Sequence, residues 1–314
     1  MKILNPKFAA FVLLAASIAL GSCGSKKEKS DKNKDKTTEN KEKPADRENK
    51  QVSSTGGSLG WYDLASEDPM LLKLTSQLTE ISGITFTPDN RLFGHGDEYA
   101  DIFEIDPENG SVIKKFSLGD MLVVKGDFED IAFADGMFYL LESKGKLYQF
   151  SEGKDGGFVT YKTFTTELSA KDDVEGLCFD SSTNSLLLAC KETPSSEYGK
   201  DKLVFSFSLG SMSFNSKPRF VIPYKDIKNN SAEGKFNPSG ISRNPLTGTF
   251  YVIAARGNMI IELSADGNIL GQMELPEKVH RQAEGIAFKT DGTLYISNEG
   301  KGKTAVIAVY KANR

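Results

Sequence analysis

Glu80-Ile81-Ser82-Gly83-Ile84, Asp127-Phe128-Glu129-Asp130-Ile131, Asp173-Val174-Glu175-Gly176-Leu177, Asn237-Pro238-Ser239-Gly240-Ile241 and Gln282-Ala283-Glu284-Gly285-Ile286 are five copies of one pattern. Each copy has a polar residue, a spacer, Glu or Ser, a small or acidic residue, and then an apolar run. The central residues are 47, 46, 64 and 45 positions apart. Self-similarity at this period is the mark of a repeat architecture.

The same arrangement follows every copy. A turn comes first, at Pro88-Asp89-Asn90, Ala134-Asp135-Gly136, Ser181–Asn184, Pro245–Gly248 and Thr290-Asp291-Gly292. These residues tolerate tight turns and positive φ. A second apolar run follows at Leu92-Phe93, Phe138–Leu141, Leu186–Ala189, Phe250–Ile253 and Leu294–Ser297. A third follows at Ile102–Ile105, Lys146–Phe150, Leu203–Phe207, Met259–Leu263 and Ala305–Tyr310. Three or four strands per repeat predict an all-β chain folded as a β-propeller. Five blades are expected, with six as the alternative if Ser58–Leu78 and the long third repeat hide another. The fifth repeat stops after its third strand, so an N-terminal strand near Leu71–Leu78 is expected to complete it and close the ring, removing exposed edges. The extra length of the third repeat falls in Glu192–Asp201 and Ser211–Pro223, which read as surface loops.

Inner strands of a propeller line its axis, so equivalent motif positions should converge there. One such set is Ser82, Glu129, Glu175, Ser239 and Glu284. Two residues earlier stand Glu80, Asp127, Asp173, Asn237 and Gln282, predicted to face the same way because strand side chains alternate. The expectation is two polar layers with three carboxylates each. Converging carboxylates repel and raise one another's pKa unless a cation neutralises them. Ca2+ suits such a set, since it takes about 6–8 oxygen ligands of mixed type. With His95 and His280 isolated in sequence, zinc and copper are disfavoured. In the competing reading the acids tie blades together through backbone amides, or pair with Lys125, Arg256 or Arg281. A looser polar set closes the second strands: Asp97, Glu98, Glu142, Lys191, Glu192, Arg256, Asn298 and Glu299.

Outward from the repeats, the ends carry different information. Residues 1–22 read as a lipoprotein signal peptide, with Lys2 and Lys7 before the apolar run Phe8–Leu20, which is too short for a stable membrane span. Leu20-Gly21-Ser22-Cys23 resembles the lipobox of bacterial lipoproteins, so Cys23 is expected to carry a lipid. Residues 23–57 form a polar linker too poor in apolar residues to bury a core, and are expected to be disordered. The chain has 39 Lys+Arg and 43 Asp+Glu. Twelve of those bases and seven of those acids precede Ser58, leaving 27 and 36, or about −9, on residues 58–314. That sign disfavours nucleic acid and suits a cation. Cys178 and Cys190, on successive strands but not opposite each other, are expected as buried thiols.

At Ile81-Ser82-Gly83-Ile84, Asp127–Ala132, Val174-Glu175-Gly176-Leu177, Pro238-Ser239-Gly240, Gln282–Ala287 and Leu294–Glu299 the chain resembles the SdiA-regulated family, distantly similar to NHL-repeat proteins. The resemblance covers about Leu71 to Tyr310. It implies a five-bladed propeller with a bound calcium ion, carried most readily onto Glu129, Glu175 and Glu284. Asp130 departs from the pattern, since the other copies have Gly there.

Two functions follow as expectations. One is a monomeric binding module, held to a bacterial membrane in the cell envelope by the lipid on Cys23 and facing an unknown protein or small-molecule ligand. The other is a calcium-dependent hydrolase of esters, lactones or phosphoesters. His95, Glu98 or Glu142 would then serve as base. No nucleophile elbow, phosphate loop or nucleotide fingerprint is visible in the sequence.

Overall fold

In the computed structural model the described residues are 56–193, 196–228 and 235–314. The expected signal segment, Cys23 and nearly all of the linker lie outside them. Among the described residues no helix is long and apolar enough to cross a membrane.

The chain enters through β1 (Met70–Lys73), which belongs to the last blade. The first blade is β2 (Ile81–Phe86), β3 (Leu92–Gly96), β4 (Asp101–Ile105) and β5 (Val112–Leu118). The second is β6 (Phe128–Ala134), β7 (Met137–Glu142) and β8 (Lys146–Phe150). The chain then crosses back, and β9 (Phe158–Val159) pairs in parallel with β5 before β10 (Tyr161–Phe164) completes the second blade. The third blade is β11 (Val174–Asp180), β12 (Ser185–Cys190), β13 (Lys202–Ser208) and β14 (Ser213–Ile222). The fourth is β15 (Gly240–Arg243), β16 (Phe250–Ala254), β17 (Met259–Leu263) and β18 (Ile269–Glu274). The fifth is β19 (Ala283–Phe288), β20 (Leu294–Asn298) and β21 (Val306–Tyr310), with β1 antiparallel to β21 in the register Leu71↔Ala308. Each inner strand lies against the next, and β19 returns to β2, so the ring closes on five blades.

The closing strand is shorter than the stretch Leu71–Leu78 expected from sequence. It ends at Lys73, and Ser76–Leu78 form a 3-10 turn with Leu78 fully buried. The chain must leave the outer edge there and reach the axis to begin β2. The core is five wedges between adjacent blades. Phe93, Phe116, Phe128, Phe138 and Phe150 fill the first-to-second junction. Tyr251, Ile253, Ile286, Phe288 and Ile296 fill the fourth-to-fifth, joined by Leu59, Tyr62 and Leu64 from the start of the domain. Glu262 pins that start: Ser58 N donates to its Oε1 at 2.9 Å and Leu59 N to its Oε2 at 2.7 Å. Cys178 and Cys190 are buried free thiols, and Cys178 pairs in register with Leu187 rather than with Cys190.

The fourth motif residue explains why the inner strands can approach so closely. A methyl group at Gly285 would lie 2.6 Å from Ser82 O and 2.9 Å from Ile84 N of the first blade. At Gly240 it would lie 2.6 Å from Glu284 O of the fifth blade. In the second repeat Asp130 replaces this glycine and makes the junction itself. Its carboxyl accepts from Ile131 N at 2.8 Å and, across the junction, from Leu177 N at 2.6 Å. Burial pushes the Asp130 carboxyl well above the usual carboxylate range, with the two amide donors working the other way.

Candidate functional site: an acidic axial cavity

The third motif residue is aimed by a β-bulge. Register shifts fall between Ile81 and Ile84 in β2, Phe128 and Asp130 in β6, Val174 and Gly176 in β11, and Ala283 and Ile286 in β19. Glu129, Glu175 and Glu284 therefore sit at the irregular points, outside the regular ladder. A bulge re-aims a side chain and interrupts strand alternation. Here it turns these carboxylates toward the axis.

They meet in a cavity of about 170 Å³ lined by Glu80, Ser82, Asp127, Glu129, Glu175, Gln282 and Glu284, with Asp97, Lys191 and Glu299 at its wall. The structure thus gathers seven of the ten motif residues singled out by the repeat. Ser239, Asn237 and Asp173 are not in its lining, although Asp173 adjoins it through Lys191. The Ser239 hydroxyl donates to Ala283 O at 2.6 Å and accepts from Ala255 N at 3.0 Å, which ties the fourth blade to the fifth. Asn237 Nδ2 donates to Glu192 at 3.0 Å. Asp173 has a positive φ of 48° and its carboxylate lies 3.3 Å from Lys191 Nζ. The bulges break the simple two-apart relation, so the two expected layers merge into one irregular set.

Lys191 is the cation of this set. It follows directly on β12, whose Cys190 pairs with Val174, and this register lays Lys191 beside the motif of its own blade. Its Nζ donates to Glu175 and reaches Asp173. Lys202, itself buried, holds the Lys191 carbonyl through its Nζ at 2.5 Å. One ammonium does not balance the carboxylates. Burial first, then Glu175, Asp127 and Asp173, raise Glu129 far above the usual carboxylate range. Burial, then Glu175, push Glu284 up to about 8. Glu175 is also raised by burial, against the pull of Lys191. At the wall, burial likewise raises Asp97 and Glu299.

Three of the other predicted groups are committed elsewhere. His95 is fully buried: its Nε2 accepts from Gly83 N at 3.3 Å, its Nδ1 lies 2.8 Å from Gly96 O, and burial lowers it to about 4. A base needs access to substrate, so this ring is a blade brace and not the base considered from sequence. Glu142 accepts the Tyr148 hydroxyl at 2.9 Å, and Asn298 lies 3.2 Å from the buried His280. Serine at 297, absent from the expected site, repeats the bracing role: its Oγ accepts from Gly285 N and donates to Ser82 O.

A closed five-bladed propeller with an acidic cavity on its axis defines the class of protein. The chain belongs to the SdiA-regulated family, whose sequence profile matches residues 72–302. No curated protein matches the chain. Among solved structures it is similar to Myxococcus xanthus glutaminyl cyclase, at 12% identity and a TM-score of 0.51 over 77% of this chain and 94% of that one. It is also similar to the PQQ-bound aldose sugar dehydrogenase of Streptomyces coelicolor, at 14% identity and a TM-score of 0.50 over 78% and 99%. At such identities the likeness extends to the propeller fold alone.

Proposed function

We propose that this protein is a lipid-anchored, extracytoplasmic binding propeller that takes a calcium ion at its axial carboxylates and meets a ligand or partner on the same face. The observation that carries the reading is the charge imbalance of the cavity: Glu129, Glu175 and Glu284 share one small space with a single ammonium, Lys191. The donor set is all oxygen, which is the chemistry of a hard cation. Glu129, Glu175 and Glu284, with Ser82, would hold the ion, whose contribution is positive charge that lets the carboxylates ionise together. Among the described residues no three acidic, imidazole or thiol groups stand close enough to enclose an ion as they lie. Binding therefore requires the carboxylates to draw inward and Lys191 to release Glu175. Lys191 acts as a tethered competitor for the site.

Two outcomes test this. Calcium should raise the melting temperature of the wild type and leave Glu129→Gln/Glu175→Gln/Glu284→Gln unmoved; equal response of both proteins in a thermal-shift titration would refute the site. Lys191→Met should bind calcium about tenfold more tightly by calorimetry, a gain of about 1.4 kcal/mol, because no ammonium then contests Glu175. Unchanged or weaker affinity would remove Lys191 from the site.

The sign with pH is fixed by Glu284. Its native carboxyl keeps a proton between the ordinary 4.5 and about 8, where the unfolded chain has lost it. The native state thus binds more protons, and the calcium-free protein loses stability as pH rises through that interval. Calcium displaces those protons, so its stabilising effect should grow from pH 5 to pH 8.

A further inference from the structure

A two-stranded ribbon crosses the face that carries the cavity. The loop after β3 and the link from β5 to β6 run antiparallel: Phe128 N donates to Asp97 O at 2.7 Å, Gly126 N to Glu98 O at 3.1 Å, and Ala100 N to Val124 O at 2.9 Å. Tyr99 and Lys125 are bridged between them. The ribbon is radial. Its inner end is Asp97 and Asp127 at the cavity wall. Its outer end is a tight turn closed by the bridge Gly119↔Val123.

The tip of that turn is Met121 and Leu122, 83% and 85% exposed. Phe158, 47% exposed on β9, stands beside it, 3.5 Å from the position of a methyl on Gly119. Single exposed apolar residues are ordinary, but three adjacent ones from two segments make a patch. Asp120 shares the tip turn, and inward from the patch the ribbon carries Glu98, Asp97 and Asp127 against one cation, Lys125, whose Nζ is turned over the Tyr99 ring at 4.8 Å. A cleft of about 170 Å³, large enough for one side chain, opens along the ribbon between Glu80, Asp97, Glu98 and Tyr99.

We propose that this ribbon is the docking track for an extended basic segment of a protein partner, with an apolar residue on Met121, Leu122 and Phe158 and a Lys or Arg in the cleft at Asp97 and Glu98. Charge complementarity selects the partner's sign, and the patch supplies its anchor. From Leu122 to Asp127 the ribbon advances five residues, about 17 Å at strand rise. The partner's apolar and cationic residues should therefore lie about four to six positions apart. The inference rests on the reading of this face as a binding face, and not on the calcium.

The test is fluorescence anisotropy of the full chain with synthetic peptides that carry Leu-Phe and Lys-Arg pairs separated by one to eight Gly/Ser residues. Binding should peak at three to five intervening residues and fall at least tenfold when Lys-Arg becomes Glu-Glu or Leu-Phe becomes Ser-Ser. Met121→Ser/Leu122→Ser and, separately, Glu98→Lys should each weaken it at least fivefold, with circular dichroism and melting temperature unchanged. Absence of binding, binding indifferent to spacing, or variants that bind like the wild type would overturn the track. Binding to phosphatidylglycerol vesicles that Met121→Ser/Leu122→Ser abolishes, without peptide binding, would also overturn it and make the tip a membrane contact. Each titration is run in EDTA and in calcium. A protein that fails to bind calcium but binds the peptides removes the metal reading and leaves the track standing.

Discussion

Gly285→Ala is expected to lower the stability of the domain by about 3 kcal/mol, the upper part of the usual range for overpacking. In a domain of this size that is a loss of about 6–12 °C in melting temperature. The added methyl would lie 2.5 Å from Ser297 Oγ, 2.6 Å from Ser82 O and 2.9 Å from Ile84 N. Two of these atoms are backbone and cannot turn away. The third is held in place, since Ser297 Oγ accepts from Gly285 N at 2.8 Å and donates to Ser82 O at 2.9 Å. Relief must come from separating the fifth blade from the first, and that junction closes the ring. Gly210→Ala is the matched control: its methyl would meet nothing nearer than 3.9 Å. Urea denaturation of the two variants checks the argument. If both unfold at the wild-type midpoint, the tight approach of β19 and β2 is not a constraint on the fold.

The repeat made the architecture legible because one pattern recurred at the start of five inner strands. Blade number, strand order within blades and ring closure all follow from that recurrence. The site was only partly legible. Glu129, Glu175 and Glu284 converge because equivalent positions must, but their shared wall with Glu80, Asp127 and Gln282 depends on bulges. Sequence alternation has no means of showing an inserted residue. The same blindness placed Ser239 and Asn237 in the ring, although one hydroxyl is spent on a neighbouring carbonyl and one amide on Glu192. Lys191 was visible only as a charge at the end of a second strand. Pairing the hairpin of the third repeat regularly from its turn sets Cys190 against Glu175 and Lys191 against Val174, one residue out of the observed register, because the bulge falls between Val174 and Gly176. The crossing of β9 to the first blade carries no local signal at all, since two residues in parallel pairing are too few to imprint a period.

Asp130 is the residue where a break in the pattern marks a change of physical device, and its replacement should have the second-largest effect. Asp130→Ala leaves Ile131 N and Leu177 N without their acceptors in a site from which water is excluded. Each orphaned donor costs about 1–3 kcal/mol, so a total of about 3 kcal/mol is expected. Asp130→Asn keeps one acceptor and turns an amide N–H toward the other donor, so about half that loss should follow. The pH dependence separates a buried acid from a mere spacer. Burial holds the native carboxyl protonated above 3.8, the value at which the unfolded chain gives up its proton. Over that interval the native state binds one more proton than the unfolded state, and stability falls as pH rises. Asp130→Asn removes this proton from both states. The difference in unfolding free energy between wild type and Asp130→Asn should therefore shrink as pH is raised from 4 toward 8. Urea midpoints at one-unit intervals read it directly. A constant difference would mean that Asp130 is ionised in the folded protein, its charge carried by the two amide donors alone. The junction between the second and third blades would then be an anion seated in backbone dipoles, and not the neutral counterpart of the glycines that serve the other repeats.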